Sequence, residues 1–342
     1  MDFRQTYCFD DLLLVPKYSD IKSRSEVDLS SNLSTGINLG LPVMSSPMDT
    51  VTESAMAVAM QKAGGLGVIH RYSSASQQAE FVRDAMASGA KHVAAAIGVT
   101  GDYEERAGIL YDAGARIICL DIAHGHHAMM KSAIKKLKEV FGDDIHIMAG
   151  NVASLEAFDD LSKWGADSIR VGIGGGSICS TRIVTGHGVP TLQSVLDCSR
   201  SVYDTKIIAD GGIKTTGDVV KAIAAGADFV IVGSMLAGTN ETPGAVLTNV
   251  SGEKYKEYRG MASKKAQYNW RGKSSTPEGV ATTVPYKGSV KHTLQDIAGA
   301  LRSGLSYSGS RTIAEFQAKA DFIIQSSASQ LESNTHIFWR NK

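Results

Sequence analysis

Cysteine is scarce in this chain: Cys8, Cys119, Cys179 and Cys198 lie far apart in 342 residues, with no Cys-x-x-Cys pair. That spacing argues against a disulfide framework or a thiolate zinc site and fits a reducing, cytosolic compartment. An excess of charge is lacking too. Thirty-five Lys and Arg balance thirty-five Asp and Glu, which leaves no electrostatic footprint for nucleic acid or an anionic membrane. No run approaches the roughly 18 uninterrupted apolar residues of a membrane span, and Met1-Asp2-Phe3-Arg4-Gln5 lacks the apolar core of a signal peptide. What is present, 43% hydrophobic and 20% charged residues, is the composition of a globular protein. The length suits one large α/β domain or two modest ones.

Among the residues that are there, Gly172-Ile173-Gly174-Gly175-Gly176-Ser177-Ile178-Cys179 is the most informative stretch. It follows a short strand signal, Asp167–Val171, and puts one cysteine at the end of a glycine-rich loop. Glycines let a backbone turn sharply and approach a ligand without Cβ clashes. A thiol set among unpaired backbone N–H groups is favoured as the nucleophilic thiolate. By itself the loop is equally compatible with a buried, inert cysteine.

A loose repeat runs through the chain, in which a helical pattern ends in Ala-Gly, Ser-Gly or Trp-Gly and an apolar strand follows. It occurs at Ala63-Gly64, Ser88-Gly89, Ala113-Gly114, Trp164-Gly165 and Ala225-Gly226. Glycine is the expected left-handed helix cap, and the buried strand after it completes one βα unit. Further strand candidates at Pro42–Ser46, Ile145–Ala149 and Lys206–Ala209 bring the total to eight, which predicts a (β/α)8 TIM barrel. A doubly wound open sheet is the alternative. The whole chain, 1–342, reads as a single barrel domain with two long loops. One, about 172–188, carries Cys179. The other runs from Ser234 to about Gly288, with strand-like Lys254–Tyr258, a polar Lys264–Thr276 stretch resembling a mobile flap (about 259–280), and then a helix at Val290–Ser303. Met1–Gly40 and Arg311–Lys342 read as arms outside the barrel.

Reactive groups of such a barrel lie on loops at the C-terminal ends of its strands, and phosphate often binds after strands seven and eight. Here these ends are Asp210-Gly211-Gly212 and Gly233-Ser234, both with exposed N–H groups suited to an anion. Asp210 repels phosphate and is better placed to accept from sugar hydroxyls. Asp121-Ile122-Ala123-His124-Gly125-His126-His127 closes strand four. Its histidines are too tightly spaced for a tetrahedral metal site and read as a polar, ligand-facing loop. Asn151, after strand five, points to the same mouth. Trp164 and Trp270 read as core and surface packing.

Together these residues resemble the IMP dehydrogenase/GMP reductase family over nearly the whole chain. The carriers are Asp10–Pro16, Ser45–Val51, Ala149–Val152, the Cys179 loop, Ala209–Ile213 and Tyr258-Arg259-Gly260-Met261. The resemblance implies a (β/α)8 barrel, usually tetrameric, whose cysteine attacks purine C2 of a nucleoside monophosphate. Three features resemble the reductase branch. No extra segment separates Gly89 from Asp121, where the dehydrogenases usually insert regulatory domains. Cys179–Gly188 resembles the reductase pattern of Thr-Arg followed by Thr-Gly-x-Gly. The flap lacks the Arg-Tyr pair with which the dehydrogenases activate water; Tyr268 and Arg271 are not adjacent. Two departures stand beside these: Gly174-Gly175-Gly176 replaces Gly-Pro-Gly, and Ser275 stands where some reductases have arginine.

What the resemblance implies for chemistry is NADPH-dependent reductive deamination of GMP to IMP and ammonia, a step of purine metabolism. Cys179 would form a covalent thioimidate, with Thr181 and Glu278 relaying protons. Ser177, Gly211, Gly212, Gly233, Ser234 and Tyr258 would hold the phosphate and Asp210 the ribose, while Gly260, Met261 and Gly279 would face the base. NADPH would lie near Asp121, Ile122, Ala123, Asn151 and Ser303, with Ser23 and Arg24 reaching a neighbouring subunit; Arg24 suits a 2′-phosphate. Carbonyls of Gly174, Gly176 and Cys179 would bind a monovalent cation such as K+. An IMP dehydrogenase without its regulatory insert and a nucleotide-binding protein without catalysis stay open.

Overall fold

A computed structural model of the protein describes residues 3–333; Met1, Asp2 and residues 334–342 of the expected C-terminal arm lie outside the described residues. Eight parallel strands close into a barrel: β1 (Val43–Ser45), β2 (Leu66–Ile69), β3 (Ala94–Ile97), β4 (Ile117–Asp121), β5 (His146–Val152), β6 (Ser168–Val171), β7 (Lys206–Asp210) and β8 (Phe229–Val232). Pairing of β8 with β1, Val232 opposite Ser45, completes the ring and replaces the open-sheet alternative. The helices that follow the strands are α1 (Ser54–Lys62), α2 (Ala75–Ala87), α3 (Tyr103–Asp112), α4 (Ala128–Phe141), α5 (Leu155–Trp164), α6 (Thr191–Cys198), α7 (Thr216–Ala224) and α8 (Val290–Tyr307).

Local sequence explains these units. Ser74, Ser154 and Thr215 accept backbone N–H groups at the starts of α2, α5 and α7. The five repeat glycines, Gly64, Gly89, Gly114, Gly165 and Gly226, take φ from +87° to +111°, the left-handed turn from helix to strand. In α4 the buried Met130, Ala133, Ile134 and Leu137 fall on one stripe that packs on the sheet. Burial of each large aliphatic side chain of this kind contributes about 1.5–3 kcal/mol.

A second, interior cluster fills the barrel with Met44, Leu66, Val68, Ile117, Cys119, Met148, Ile208 and Phe229. Leu33, Ile37 and Leu39 belong to it as well. They come from an antiparallel hairpin, Ser31–Ser34 with Ile37–Leu39, which plugs the end where the strands begin. Only the opposite end, at the strands' C-termini, stays open. The expectation that all of Met1–Gly40 lies outside the barrel is thereby corrected, because the apolar side of the 31–39 hairpin is buried against the interior cluster. Outside the barrel, Leu12–Leu14 pairs antiparallel with Phe322–Ile324.

Two element limits differ from the sequence reading. Helix α8 does not stop at Ser303 but runs to Tyr307, because Leu305 continues the buried row of Leu294, Ile297 and Leu301. Gly304 is no break there, since its bare backbone lies against Val220. The polar Lys264–Thr276 stretch contains a helix, Lys264–Arg271, capped by Ser263 and closed by Gly272 at φ +68°.

His146 opens β5 at the closed end of the barrel. It is 4% exposed, its Nε2 lies 2.7 Å from Ser168 Oγ, and its Nδ1 has no partner among the described residues. Burial pushes its pKa down to about 4. The unfolded chain, titrating near the ordinary value of about 6.5, then binds more protons than the fold between these two pH values. Stability is therefore expected to fall by about 2 kcal/mol from pH 7 to pH 5 through this residue alone. Denaturant melts of the parent and His146→Gln at both pH values check it; an equal fall in both would disprove it.

Candidate active site

The open end of the barrel holds a cavity of about 750 Å³. One wall is the loop after β6. Gly172 takes φ +145°, and a Cβ there would collide with the Asp210 carbonyl oxygen, so only glycine lets the loop lie on the end of β7. The loop continues past Ser177 and Ile178 to Cys179 and into a helical turn, Thr181–Thr185. Cys179 Sγ lies 3.2 Å from Thr181 Oγ1, and Thr181 Oγ1 donates to Glu278 Oε2 at 2.8 Å. Thiol, hydroxyl and carboxylate thus form one relay, although Glu278 is 97 positions from Thr181.

Backbone pairing brings Glu278 there. Strands Lys254–Arg259 and Ala281–Pro285 of the flap are antiparallel, and the segment just before the second meets the cysteine loop. Ser180 N donates to the Glu278 carbonyl at 3.0 Å, and Val280 N donates to the Ile178 carbonyl at 2.9 Å. The flap is also latched to the barrel. Tyr72 donates its hydroxyl to the Met261 carbonyl at 2.9 Å and stacks on Trp270, with centroids 5.6 Å apart. Asp49 ion-pairs with Arg259. Trp270 is therefore the flap's anchor rather than plain surface packing.

At the other side Gly211, Gly212, Gly233 and Ser234 line the cavity with Ser177 and Tyr258, whose hydroxyls lie 3.5 Å apart. Burial raises the Tyr258 phenol, which keeps it a proton donor. Gly233 accepts from Leu236 N and Ala237 N, so Ser234 opens a helical turn beside the cavity.

Beneath the mouth lies a charged network. Arg170 donates from Nε and Nη2 to Asp210 Oδ2 at 2.9 and 2.7 Å, and from Nη1 to Asp121 Oδ1 at 2.7 Å. Arg71 Nε donates to Asp121 Oδ2 at 3.1 Å, and Asn151 Nδ2 donates to both Asp210 Oδ2 and the Gly172 carbonyl at 2.9 Å. Burial opposes ionisation of Asp121, but Arg170 and Arg71 outweigh it and hold the carboxyl below its usual range. Removing one partner of such a buried pair costs about 3–5 kcal/mol, because a charge is left uncompensated.

Of the residues singled out in the sequence, Cys179, Thr181, Glu278, Gly174, Gly176, Gly260, Met261, Gly279, Asp121, Ile122, Ala123, Asn151 and Asp210 all line this cavity with the phosphate-side group. Ser23, Arg24 and Ser303 do not. The turn Arg24–Glu26 packs against α8, away from the mouth of its own chain. The histidine loop needs correcting, since none of its histidines lines the cavity. His126 Nε2 lies 3.0 Å from Asp160 Oδ2, and the His127 ring accepts from Met129 N at the start of α4. The connection from β4 to α4 turns these rings away from the cavity. Among the described residues no cluster of three or more His, Cys, Asp or Glu could hold a metal, and no helix is long and apolar enough to cross a membrane.

Arg71, Tyr72, Asp49 and Arg170 were missed. A signal for Arg170 existed: a lone arginine inside a buried apolar strand demands a buried partner. Arg71 and Tyr72 directly follow β2, where barrel enzymes keep their functional groups.

The family model described as the IMP dehydrogenase / GMP reductase domain matches residues 6–336. Inosine-5'-monophosphate dehydrogenase of Nitrosopumilus maritimus is 36% identical, the alignment covering 98% of this chain and 99% of that protein. GMP reductase of Leishmania major is 33% identical over 96% of each. Both alignments span 473 positions against 342 residues here, so the shorter length does not separate the two activities. A crystal structure of a cysteine-to-alanine variant of GMP reductase from Trypanosoma brucei, in complex with guanosine 5'-monophosphate, matches with a TM-score of 0.92 and 31% identity, covering 98% of both chains.

Proposed function

The chain belongs to the IMP dehydrogenase/GMP reductase family, and within it we propose that the protein is the reductase, converting GMP to IMP and ammonia with NADPH. The observation that carries the reading is the Cys179–Thr181–Glu278 relay, with steps of 3.2 and 2.8 Å. The Cys179 thiolate adds to purine C2. The exocyclic amine is a poor leaving group unless protonated, and Glu278 delivers the proton through the Thr181 hydroxyl as ammonia departs, leaving a thioimidate. Opposite the cysteine loop, the carboxylate of Asp121, the amide of Asn151 and the apolar Ile122 and Ala123 form a wall whose donors and acceptors fit a ribosyl-nicotinamide. Asp121, Ile122, Ala123 and Asn151 would hold a reduced nicotinamide there, which would supply the hydride for C2.

Nucleotide phosphate fits the N–H groups at Gly211, Gly212, Gly233 and Ser234, and Asp210 keeps Oδ1 for the ribose hydroxyls. The domain assignment is one barrel with its cysteine loop and flap, assembled as a homotetramer in which Ser23 and Arg24 serve a neighbour's cofactor. A K+ ion at Gly174, Gly176 and Cys179 would share the Gly176 carbonyl, which already accepts from Cys179 N at 3.1 Å. No step is routed through it.

The flap favours reduction over hydrolysis. Tyr268 is 50% exposed and does not line the cavity, whereas Arg271 does, so the two do not converge on a water. Dehydrogenation of IMP with NAD to XMP is the second reading, favoured by the 36% identity to the Nitrosopumilus maritimus dehydrogenase. Purified protein with GMP and NADPH is expected to lose absorbance at the nicotinamide band and form IMP. With IMP and an oxidised nicotinamide it should make GMP only when ammonia is added. Steady XMP formation without ammonia, seen by product chromatography, would overturn the choice.

A further inference from the structure

We propose that Arg170 is a positioning residue that ties the substrate half of the site to the cofactor half, so that a change in one carboxylate is felt at the other. The proposal rests on the assignment of Asp210 to the nucleotide ribose and Asp121 to the nicotinamide cofactor. Arg170 projects from β6 between β4 and β7, with its side chain 7% exposed. Its single guanidinium serves both carboxylates, through Nε and Nη2 to Asp210 and through Nη1 to Asp121. Its Nη1 also reaches Cys119 Sγ at 3.4 Å, which leaves the fork little room to turn.

The sharing is unequal. Asp121 keeps Arg71 as a second cation, whereas among the described residues Asp210 has no ion-pair partner except Arg170. A guanidinium is planar and rigid, so it cannot follow one carboxylate without shifting at the other. If the Asp121 charge is removed, the guanidinium belongs wholly to Asp210. That carboxylate then becomes a weaker acceptor for sugar hydroxyls. Coupling of this kind is reciprocal by linkage.

Calorimetric titration of Asp121→Asn with GMP and with IMP, no nicotinamide present, is expected to give Kd values about 3- to 10-fold above the parent, although Asp121 does not meet the nucleotide. Asp210→Asn should weaken oxidised nicotinamide cofactor by a similar factor without nucleotide. Arg170→Lys keeps the charge and loses the fork. In that background Asp121→Asn should no longer change nucleotide affinity, the non-additivity that a shared partner produces and a merely structural role does not. Both crossed titrations within twofold of the parent, or additive effects in the double variant, overturn the proposal. Should Arg170→Lys not fold, the two aspartate variants decide alone. A parent that binds IMP and not GMP refutes the reductase reading and leaves this test intact; one that binds neither refutes both.

Discussion

Cys179→Ala is expected to abolish turnover, by on the order of 10³-fold or more, while leaving the barrel folded and GMP bound. The loss follows from the proposed chemistry, since no second thiol stands in the relay and the Thr181 hydroxyl is a far weaker nucleophile than a thiolate. The fold survives because Cys179 sits on a loop, only half-buried, where one sulfur is removed and no strand is disturbed. The backbone links that dock the flap, Ser180 N to Glu278 O and Val280 N to Ile178 O, do not involve the side chain. NADPH oxidation at saturating GMP measures the loss, and calorimetry with GMP measures the retained affinity. More than a few per cent of residual turnover would remove covalent catalysis by Cys179 from the mechanism.

Glu278→Gln is expected to lower kcat by about 10²–10⁴-fold and leave GMP affinity within a few-fold of the parent. Glutamine has the same reach, so its amide oxygen can still accept the Thr181 hydroxyl that Glu278 holds at 2.8 Å. Its backbone keeps both contacts that fix this point of the flap, including Glu278 N to the Ala262 carbonyl at 3.1 Å. What the amide cannot do is carry a proton to the departing amine. Rapid-quench detection of ammonia separates this from slow hydride transfer. Near-normal kcat with a raised KM would make Glu278 a binding residue and leave Thr181 without a proton source.

These effects differ in kind from the Arg170 network. In the proposed mechanism Cys179 and Glu278 meet the reacting atoms, so their loss is expected to fall on kcat. The side-chain hydrogen bonds of Arg170 go to Asp121, Asp210 and Cys119, and in the proposal its loss reaches the ligands through the two carboxylates.

The barrel was legible because its signals are local. A glycine at positive φ at five of the helix ends, followed by a short apolar run, marks a βα unit wherever it occurs. The flap helix Lys264–Arg271 was not legible in the same way. Its residues are polar, and what orders it is the stack of Trp270 on Tyr72, nearly two hundred positions away. His126 misled for a similar reason: three histidines close a barrel strand at the expected place, but α4 and α5 turn His126 onto Asp160.

By itself, then, the sequence determined the eight βα units, the place of Cys179 at the end of a glycine loop, and the glycine turns after strands seven and eight. Each is a property of a few consecutive residues, set by backbone freedom and hydrophobic period. Tertiary structure alone decided that Thr181 and Glu278 share a hydrogen bond and that Arg170 stands between Asp121 and Asp210. It also decided that Tyr72 and Trp270 hold the flap. Those arrangements depend on which strand ends become neighbours when the ring closes, and on side chains whose charge or ring must find a partner once water is excluded. No spacing along the chain encodes such a meeting; closure of the barrel supplies it.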